Sequence, residues 1–524
     1  MPKVLIEKLD DFGRGIAHIN NKVVFIENAL PEEVVEIEII NDKKSFSEAK
    51  VTKYLKLSKD RIESKCPYFE VCGGCNLLHL SYENTLTFKR SKIKELLKKN
   101  KINYNKEIEI IKNANPYYYR NKVSLKIENG TLGYYEESSH KLIEIKECIT
   151  AKHSINEVIK NYKLLNLENA KLTIRSNYNN EILIIIETKE KEYNIELAKL
   201  KEKVKLVGIV YNNKTIYGEN FFYERVGGKL FKVSFDSFFQ VNEYITSKLF
   251  DLIKNNIDKD SIVLDLYSGV GTLGIIAASA SKEVYSIEII KNAVLNGIKN
   301  ATLNQVNNIK FMLGDVSKTV DKIDFNFDTL IVDPPRKGLD KKSKEFILKK
   351  LPAKIIYVSC DPNTLMRDLK EFESIYEVCD FKIMDMFSYT YHVESFCVLK
   401  KKYRKATFND INDIANLVTD LLGTCNIKSE SSILESNIEE ITKDINHYNV
   451  CTINDKIVGA CGISDILKQD RFNLGLKNIK EILYLVVDKK YQGKGIGTQL
   501  LKLCSNYNKE DIIYEAWGDN GCEF

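Results

Sequence analysis

The 524-residue sequence is poor in proline and in long hydrophobic runs. It contains 8 prolines and 25 glycines, whereas 44% of its residues are hydrophobic. This composition excludes collagen-like and low-complexity chains and supplies enough apolar residues for packed cores. The longest apolar runs, such as 182–186, are far shorter than the roughly 20 residues that cross a bilayer. An acid, Glu7, precedes any apolar signal segment. We therefore expect a soluble cytoplasmic protein with no membrane partner.

The chain divides by pattern into four parts. Residues 1–60 alternate short β-rich runs with turns, which is typical of an OB-like β-barrel. Residues 61–235 have the pattern of an α+β insert, in which Asn129-Gly130 predicts the turn of a hairpin. Residues 236–400 alternate apolar strands with amphipathic helices, which predicts a Rossmann-like, mostly parallel sheet with its ligands at the carboxyl ends of the strands. Residues 401–524 form a further α/β segment, so we expect a multidomain α/β protein.

Disulfides are not expected, although the sequence has 12 cysteines, because the cytoplasm keeps thiols reduced. Cys66, Cys72 and Cys75 fall within ten residues, and the glycines between the last two allow a tight turn. This spacing predicts a metal or cluster site.

A basic run follows the cysteines. It contains a single acid, Glu95, and either faces phosphates or forms an ordinary solvated helix. Its seven cations are Lys89, Arg90, Lys92, Lys94, Lys98, Lys99 and Lys101.

A glycine turn at 263–274, VLDLYSGVGTLG, joins a strand to a helix start. Gly269 and Gly271 fit the G-x-G-x-x-G pattern of dinucleotide-binding folds, which leaves a nicotinamide oxidoreductase open. Asp265 before the turn and Asp315 after a later strand favour S-adenosylmethionine instead, because acids face a cationic ligand rather than a pyrophosphate.

Other polar residues stand at strand ends of the same sheet. Glu288 ends the strand after the turn, where it can accept both ribose hydroxyls. Asp333 begins a rigid Asp-Pro-Pro-Arg loop that can hold a flipped base. Cys360 ends another strand and Glu394 lies in the following strand region, so we expect the two to converge over the cofactor.

Six motifs appear in the order found in RNA uracil-5-methyltransferases, which residues 1–400 resemble. They are CPYFEVCGGC, SFFQVN, LDLYSGVGT, IVDPPRKG, SCDPNTLMRD and HVES. Residues 1–60 also resemble the TRAM domain of RNA-modifying enzymes through FGRGIAH and VVFIENALPEE. A non-catalytic RNA-binding scaffold stays an alternative.

The resemblance implies roles for individual residues. Cys360 would be the nucleophile and Glu394 the base, with S-adenosylmethionine held by Gln240, Tyr267, Glu288 and Asp333. It also implies a [4Fe-4S] cluster on Cys66, Cys72, Cys75 and the distant Cys148, although the spacing alone fits zinc equally.

The expected chemistry explains these residue types. Addition of a thiolate at C6 of uracil makes C5 able to attack a methyl group, and a carboxylate then removes the C5 proton. The target uridine must first leave the base stack. We expect RNA and not DNA as the partner, with 23S ribosomal RNA ahead of tRNA because the combination of barrel and cysteine cluster resembles the ribosomal members.

The last segment resembles the GNAT acetyltransferases through the loop 492–497, QGKGIG, and the opening RKATFNDINDIANL. Its loop suits a pyrophosphate. We expect this domain to bind acetyl-coenzyme A poorly or not at all, since the sequence ends soon after the strand Ile512–Trp517 and the pattern calls for further elements. A bifunctional methyltransferase and N-acetyltransferase is the alternative.

Overall fold

The computed structural model describes residues 1–136, 139, 141–422, 430–463, 480–505 and 512–513. The chain forms two compact units. One comprises residues 1–370 and 380–398, and the other comprises residues 371–379 and 399–524.

The first unit begins with a six-stranded sheet. Alternate residues of its strands are buried, so that one face covers a small apolar core around Ile26, Val35 and Ile37. Asn20 and Asn21, both at positive φ, make the tight turn between β3 and β4. The strands lie in the order β1-β5-β6-β4-β3-β2. They are β1 (Lys3–Leu5), β2 (Lys8–Leu9), β3 (Gly15–Ile19), β4 (Lys22–Ile26), β5 (Val34–Asp42) and β6 (Phe46–Lys56).

Helix α1 (Tyr82–Lys99) carries the basic run. The Ser81 side chain caps it by accepting a hydrogen bond from the Asn84 amide at 3.2 Å. The expectation that the cations of this run face phosphates is wrong for two of them, because Lys89 and Lys92 are buried. Lys89 is fully buried, and its ammonium lies 2.7 Å from the Asp385 carboxylate.

A seven-stranded sheet follows α1 and β7 (Glu109–Ile111) in the chain. The predicted Asn129-Gly130 turn is confirmed, since both residues have positive φ between β8 and β9. Helices α2 (His153–Lys160) and α3 (Leu197–Lys203) contribute Ile155 and Leu200 to the core of this part. The strand order is β10-β9-β8-β11-β12-β13-β14. The strands are β8 (Lys122–Glu128), β9 (Thr131–Tyr135), β10 (Leu142–Glu144), β11 (Ala170–Ser176), β12 (Glu181–Thr188), β13 (Lys205–Tyr211) and β14 (Lys214–Gly218).

An antiparallel hairpin, β15 (Phe221–Val226) and β16 (Lys229–Ser234), leads into an eight-stranded sheet. The sheet order is β19-β18-β17-β20-β21-β23-β22-β7, and β17 to β21 run parallel. The central strands β17, β20 and β21 are buried apolar runs, as expected where helices cover both faces. Its edge strand β7 comes from the segment before the seven-stranded sheet and pairs in parallel with β22.

The elements of this sheet are strands and alternating helices. The strands are β17 (Ile262–Leu266), β18 (Glu283–Glu288), β19 (Ile309–Leu313), β20 (Thr329–Val332), β21 (Lys354–Ser359), β22 (Tyr376–Met384) and β23 (Glu394–Lys401). The helices are α4 (Glu243–Asn255), α5 (Thr272–Ala278), α6 (Lys291–Leu303), α7 (Val316–Thr319), α8 (Lys341–Lys350) and α9 (Pro362–Phe372).

The second unit contains a five-stranded sheet with helices α10 (Ile411–Leu422), α11 (Glu430–Asp444) and α12 (Ile496–Ser505). Its strands are β24 (Tyr403–Lys405), β25 (Tyr448–Ile453), β26 (Lys456–Ile463), β27 (Lys480–Val487) and β28 (Ile512–Ile513). Residues 514–517 of the predicted strand Ile512–Trp517, and the residues after them, lie outside the described part of the chain.

No helix within the described ranges is both long enough and apolar enough to cross a membrane.

Candidate active site

The glycine turn after β17 is shaped by its backbone. Tyr267, Gly269 and Gly271 all have positive φ, a conformation that favours glycine. A Cβ on Gly271 would lie 2.7 Å from the Phe311 ring, whereas a Cβ on Gly269 would meet no atom within 4 Å. The turn is therefore packed on one side and open on the other, where a ligand can approach the backbone.

Two acidic side chains, Asp265 and Glu288, lie next to this turn. Asp265 is buried and accepts a hydrogen bond from the Ser286 hydroxyl at 3.1 Å. Burial raises the pKa of Asp265 to about 8. The Glu288 carboxylate accepts the backbone N–H groups of Gly269 at 2.9 Å and Ile290 at 2.8 Å. The Glu288 side chain thus connects the end of β18 to the glycine turn.

The other predicted cofactor residues have local partners. Asp315 caps α7 by accepting the backbone N–H of Ser317 at 3.0 Å. The Tyr267 hydroxyl lies 3.2 Å from the Asp340 carboxylate. The Gln240 carbonyl accepts from the Asn121 side chain at 3.1 Å, and no hydrogen bond within the described ranges joins Gln240 to the other cofactor residues.

Three of the predicted site residues lie at the carboxyl edge of the sheet. Asp333 follows β20, Cys360 follows β21, and Glu394 is the first residue of β23. Burial, together with the Glu394 and Asp333 charges, raises the pKa of the Cys360 thiol to about 11, and the Arg336 charge opposes this shift. Burial also raises the pKa of Asp333, and that of Glu394 well above its ordinary range. The Glu394 charge raises the pKa of the Cys360 thiol, so these two side chains lie near each other.

Arg336 was missed as a candidate, although it stands in the quoted Asp-Pro-Pro-Arg motif. Its charge acts on Cys360, Glu394 and His392. The Arg336 carbonyl accepts the Thr364 hydroxyl at 3.2 Å, which ties its loop to the helix that follows Cys360. Its position next to a rigid proline pair was the available signal.

His392 was also missed. Burial and then the Arg336 charge lower the pKa of His392 to about 4, so its imidazole is neutral at physiological pH. Its ring packs against Phe387 at 5.8 Å and Tyr391 at 4.3 Å.

The loop that leads to Glu394 is held by a buried polar network. The Asp385 carboxylate binds the Lys89 ammonium at 2.7 Å, the Tyr82 hydroxyl at 2.7 Å and the Ser388 hydroxyl at 2.5 Å. Lys89 also donates to the Phe387 carbonyl at 2.9 Å. Helix α1 therefore fixes the start of this loop through a fully satisfied buried charge pair.

The four cysteines of the predicted cluster line one cavity of about 50 Å³, together with Arg120 and Tyr134. The structure thus brings the remote Cys148 to the Cys66, Cys72 and Cys75 loop. Burial raises the pKa of the Cys66 and Cys75 thiols. Within the described residues, no three His, Cys, Asp or Glu side chains are grouped so as to hold one metal ion.

Comparison with known proteins gives the family. A profile described as tRNA (uracil-5-)-methyltransferase matches residues 81–402, which is more than half of the chain. The chain belongs to this family. It is an RNA (uracil-5-)-methyltransferase whose methyl donor is S-adenosylmethionine, and the oxidoreductase and scaffold alternatives are not supported. A TRAM domain profile matches residues 3–52, within the six-stranded sheet.

Relatives of this methyltransferase cover about three-quarters of the chain. RNA methyltransferases of Clostridium tetani and Thermotoga maritima are 34% and 33% identical over 430 and 437 residues, covering 74% and 76% of this chain and 93% and 99% of theirs. The solved tRNA (uracil-54, C5)-methyltransferase of Pyrococcus abyssi, in complex with S-adenosyl-L-homocysteine, is 25% identical. It superposes with a TM-score of 0.64 over 76% of this chain and 100% of its own.

The methyltransferase also carries a GNAT acetyltransferase match at residues 444–520. In the predicted loop, Gly493 and Gly495 have positive φ, and α12 begins directly after them. A Cβ on either glycine would meet no atom within 4 Å.

The shifted pKa of Cys360 predicts how this methyltransferase reacts with alkylating agents. Because the thiolate reacts and the pKa is raised, modification of Cys360 by iodoacetamide should accelerate about tenfold per pH unit from pH 7 to 10. Arg336→Gln should slow the reaction, because the Arg336 charge lowers the pKa of the thiol. Glu394→Gln should accelerate it, because the Glu394 charge raises that pKa. Mass spectrometry of the Cys360 peptide measures the rate. A rate that levels off below pH 9 would contradict the raised pKa.

Proposed function

We propose that this chain forms 5-methyluridine in 23S ribosomal RNA, with Cys360 as the nucleophile and Glu394 as the base. S-adenosylmethionine supplies the methyl group. The observation that carries the proposal is the meeting of a thiol and two carboxyl groups with raised pKa values at the edge of the sheet where the glycine turn opens.

Cys360 acts first in this proposal. Its thiolate adds to C6 of the flipped uridine, which gives C5 the electron density to attack a methyl group. The thiol holds its proton strongly in the free protein. Asp333 binds its proton more tightly than an exposed carboxylate does, which suits it to accept the proton that Cys360 gives up and leaves Glu394 to take the C5 proton.

Glu394 acts second. After methyl transfer, C5 carries both a proton and the new methyl group, and removal of the proton lets the Cys360–C6 bond break. A carboxylate with a raised pKa is a stronger base than an ordinary one, and Glu394 is only 2% exposed. The positive charge of Arg336 would stabilise the negative charge that develops on the uracil ring after the thiolate adds.

The methyl donor is assigned to the open side of the glycine turn. Glu288 and Asp315 follow successive strands, where they can bind the ribose and the adenine, and Gln240, Tyr267 and Asp333 complete the set. Asp265, Gly269 and Gly271 shape the turn itself. The buried Asp265 carboxyl favours a cationic ligand, because a positive charge nearby stabilises its ionised form.

The four cysteines are assigned to a [4Fe-4S] cluster. Four thiols that line one cavity are a donor set for a cluster or for zinc. When bound, the cluster would cross-link the Cys66–Cys75 loop to Cys148 and so stabilise this part of the fold.

Ribosomal RNA as the target rests on the combination of the TRAM sheet with the cysteine cavity. The Pyrococcus abyssi neighbour acts on tRNA according to its name, and tRNA is therefore the second candidate. No separate acetyltransferase activity is proposed for the second unit.

Deletion of the gene tests the target. Liquid chromatography and mass spectrometry should show that 5-methyluridine is lost from purified 23S rRNA while tRNA keeps its content. Complementation with wild type, but not with Cys360→Ala, should restore it. Loss from tRNA alone would move the target to tRNA, and unchanged 5-methyluridine in both RNAs would refute the proposed function.

Substitutions at the two catalytic positions should fail in different ways. Cys360→Ala should abolish methylation while cofactor binding persists. Glu394→Gln should allow methyl transfer but slow proton removal about 10²- to 10⁴-fold, so that a covalent protein–RNA adduct accumulates. Denaturing gels with 5-fluorouridine RNA, which has no removable C5 proton, should show the adduct for wild type. Intact methylation without any adduct would exclude the covalent route.

Anaerobically purified protein should contain iron and sulfide. Replacement of any one of Cys66, Cys72, Cys75 or Cys148 by Ser should lower the iron content and the unfolding temperature together, because metal binding and folding are linked. Cys379→Ser, which changes a thiol that does not line the cavity, is the matched control. Metal analysis that finds one zinc and no iron would reverse the cluster assignment.

A further inference from the structure

Phe12 lies on the loop between β2 and β3 with 50% of its surface exposed. The loop is rigid: the Asp10 carboxylate accepts the backbone N–H of Phe12 at 2.9 Å and that of Arg14 at 2.8 Å. Gly13 has positive φ and packs on Leu77, since a Cβ there would lie 2.8 Å from the Leu77 side chain. A large apolar ring is thus held in solvent by a well-ordered turn.

The ring of Phe12 touches the loop that precedes Glu394. Its centroid lies 5.3 Å from that of Tyr391, and the two planes meet at 77°. Tyr391 in turn packs against His392 at 4.3 Å. Because Tyr391 stands three residues before Glu394, the TRAM sheet reaches the catalytic loop directly.

Lys92 ties the two loops together. Its ammonium donates to the Asp11 carbonyl at 2.7 Å and to the Tyr391 carbonyl at 3.4 Å, and it lies 5.4 Å from the centre of the Tyr391 ring. No carboxylate forms an ion pair with Lys92 within the described ranges. Lys92 is buried, so its ammonium holds the two loops together rather than facing solvent.

We propose that Phe12 and Tyr391 form an aromatic platform for an unpaired RNA nucleotide next to the target uridine. The inference rests on the proposed function and adds to it how the RNA is held. The base stacks on the exposed Phe12 ring, which Tyr391 and the Lys92 contacts hold in place. The TRAM domain and the catalytic loop then contact the same stretch of RNA.

The chemistry of the two rings fits this occupant. Proteins recognise unpaired nucleotides by stacking their bases on aromatic side chains, and a flipped target leaves its neighbours without stacking partners. The edge-to-face contact with Tyr391 and the Arg14 guanidinium, 5.4 Å from the ring centroid, fix the position of Phe12. Half of the Phe12 surface stays exposed.

Methylation kinetics of the full-length protein test the platform. The RNA is total RNA from a strain that lacks the gene, and the donor is methyl-tritiated S-adenosylmethionine. Phe12→Ala should raise KM for RNA about fivefold or more, while KM for S-adenosylmethionine stays at the wild-type value. Phe12→Tyr, which keeps the ring, should behave as wild type. Phe408→Ala, which removes a 66% exposed ring in the second unit, is the matched control.

The outcomes separate the platform from the proposed function. An unchanged KM for RNA in Phe12→Ala, or an equal defect in Phe12→Tyr, would overturn the platform while methylation by wild type stands. Absence of methylation by wild type would instead refute the proposed function. Ultraviolet crosslinking of wild type to the same RNA gives a second test that needs no variant. Crosslinked peptides should contain Phe12 or Tyr391, and crosslinks confined to other peptides would contradict the proposal.

Discussion

Removal of charged and acidic groups from water is the constraint on which the catalytic edge of this protein depends. Four acidic groups lie in or beside strands of one sheet, and burial raises the pKa of each. They are Asp265 in β17, Asp333 after β20, the Cys360 thiol after β21 and Glu394 at the start of β23. Like charges held close in a dry site cannot all ionise together. Burial therefore favours the protonated form of each of these groups.

That arrangement needs rigid support, and the buried pair of Lys89 and Asp385 provides it. A charge pair without water is stabilising only when its remaining hydrogen-bonding capacity is satisfied. Here Tyr82, Ser388 and the Phe387 carbonyl complete the network. Because a buried polar group without a partner destabilises the fold, these hydrogen bonds hold the catalytic loop against helix α1. Lys92 of the same helix donates a hydrogen bond to the Asp11 carbonyl of the TRAM domain.

The sequence predicted the fold class, the Asn129-Gly130 turn and the strand-end positions of Asp333, Cys360 and Glu394, because each depends on local periodicity or on a short motif. It did not predict that Lys89 is buried, since its partner Asp385 lies 296 residues away and a lysine-rich helix looks solvated in isolation. Arg336 was overlooked for a related reason: its effect on Cys360 and His392 depends on how two loops fold toward each other. The edge strand β7 was likewise hidden, because its pairing partner β22 is distant in sequence.

The central claim is that a covalent bond from Cys360 to C6 makes C5 reactive and that the C5 proton is then removed. RNA that carries tritium at C5 of uridine measures this most directly, because each turnover must exchange one C5 hydrogen for one methyl group. We predict equal amounts of tritium released to water and of methyl groups transferred, with neither in Cys360→Ala. Methyl transfer to uridine without release of C5 tritium would contradict the account.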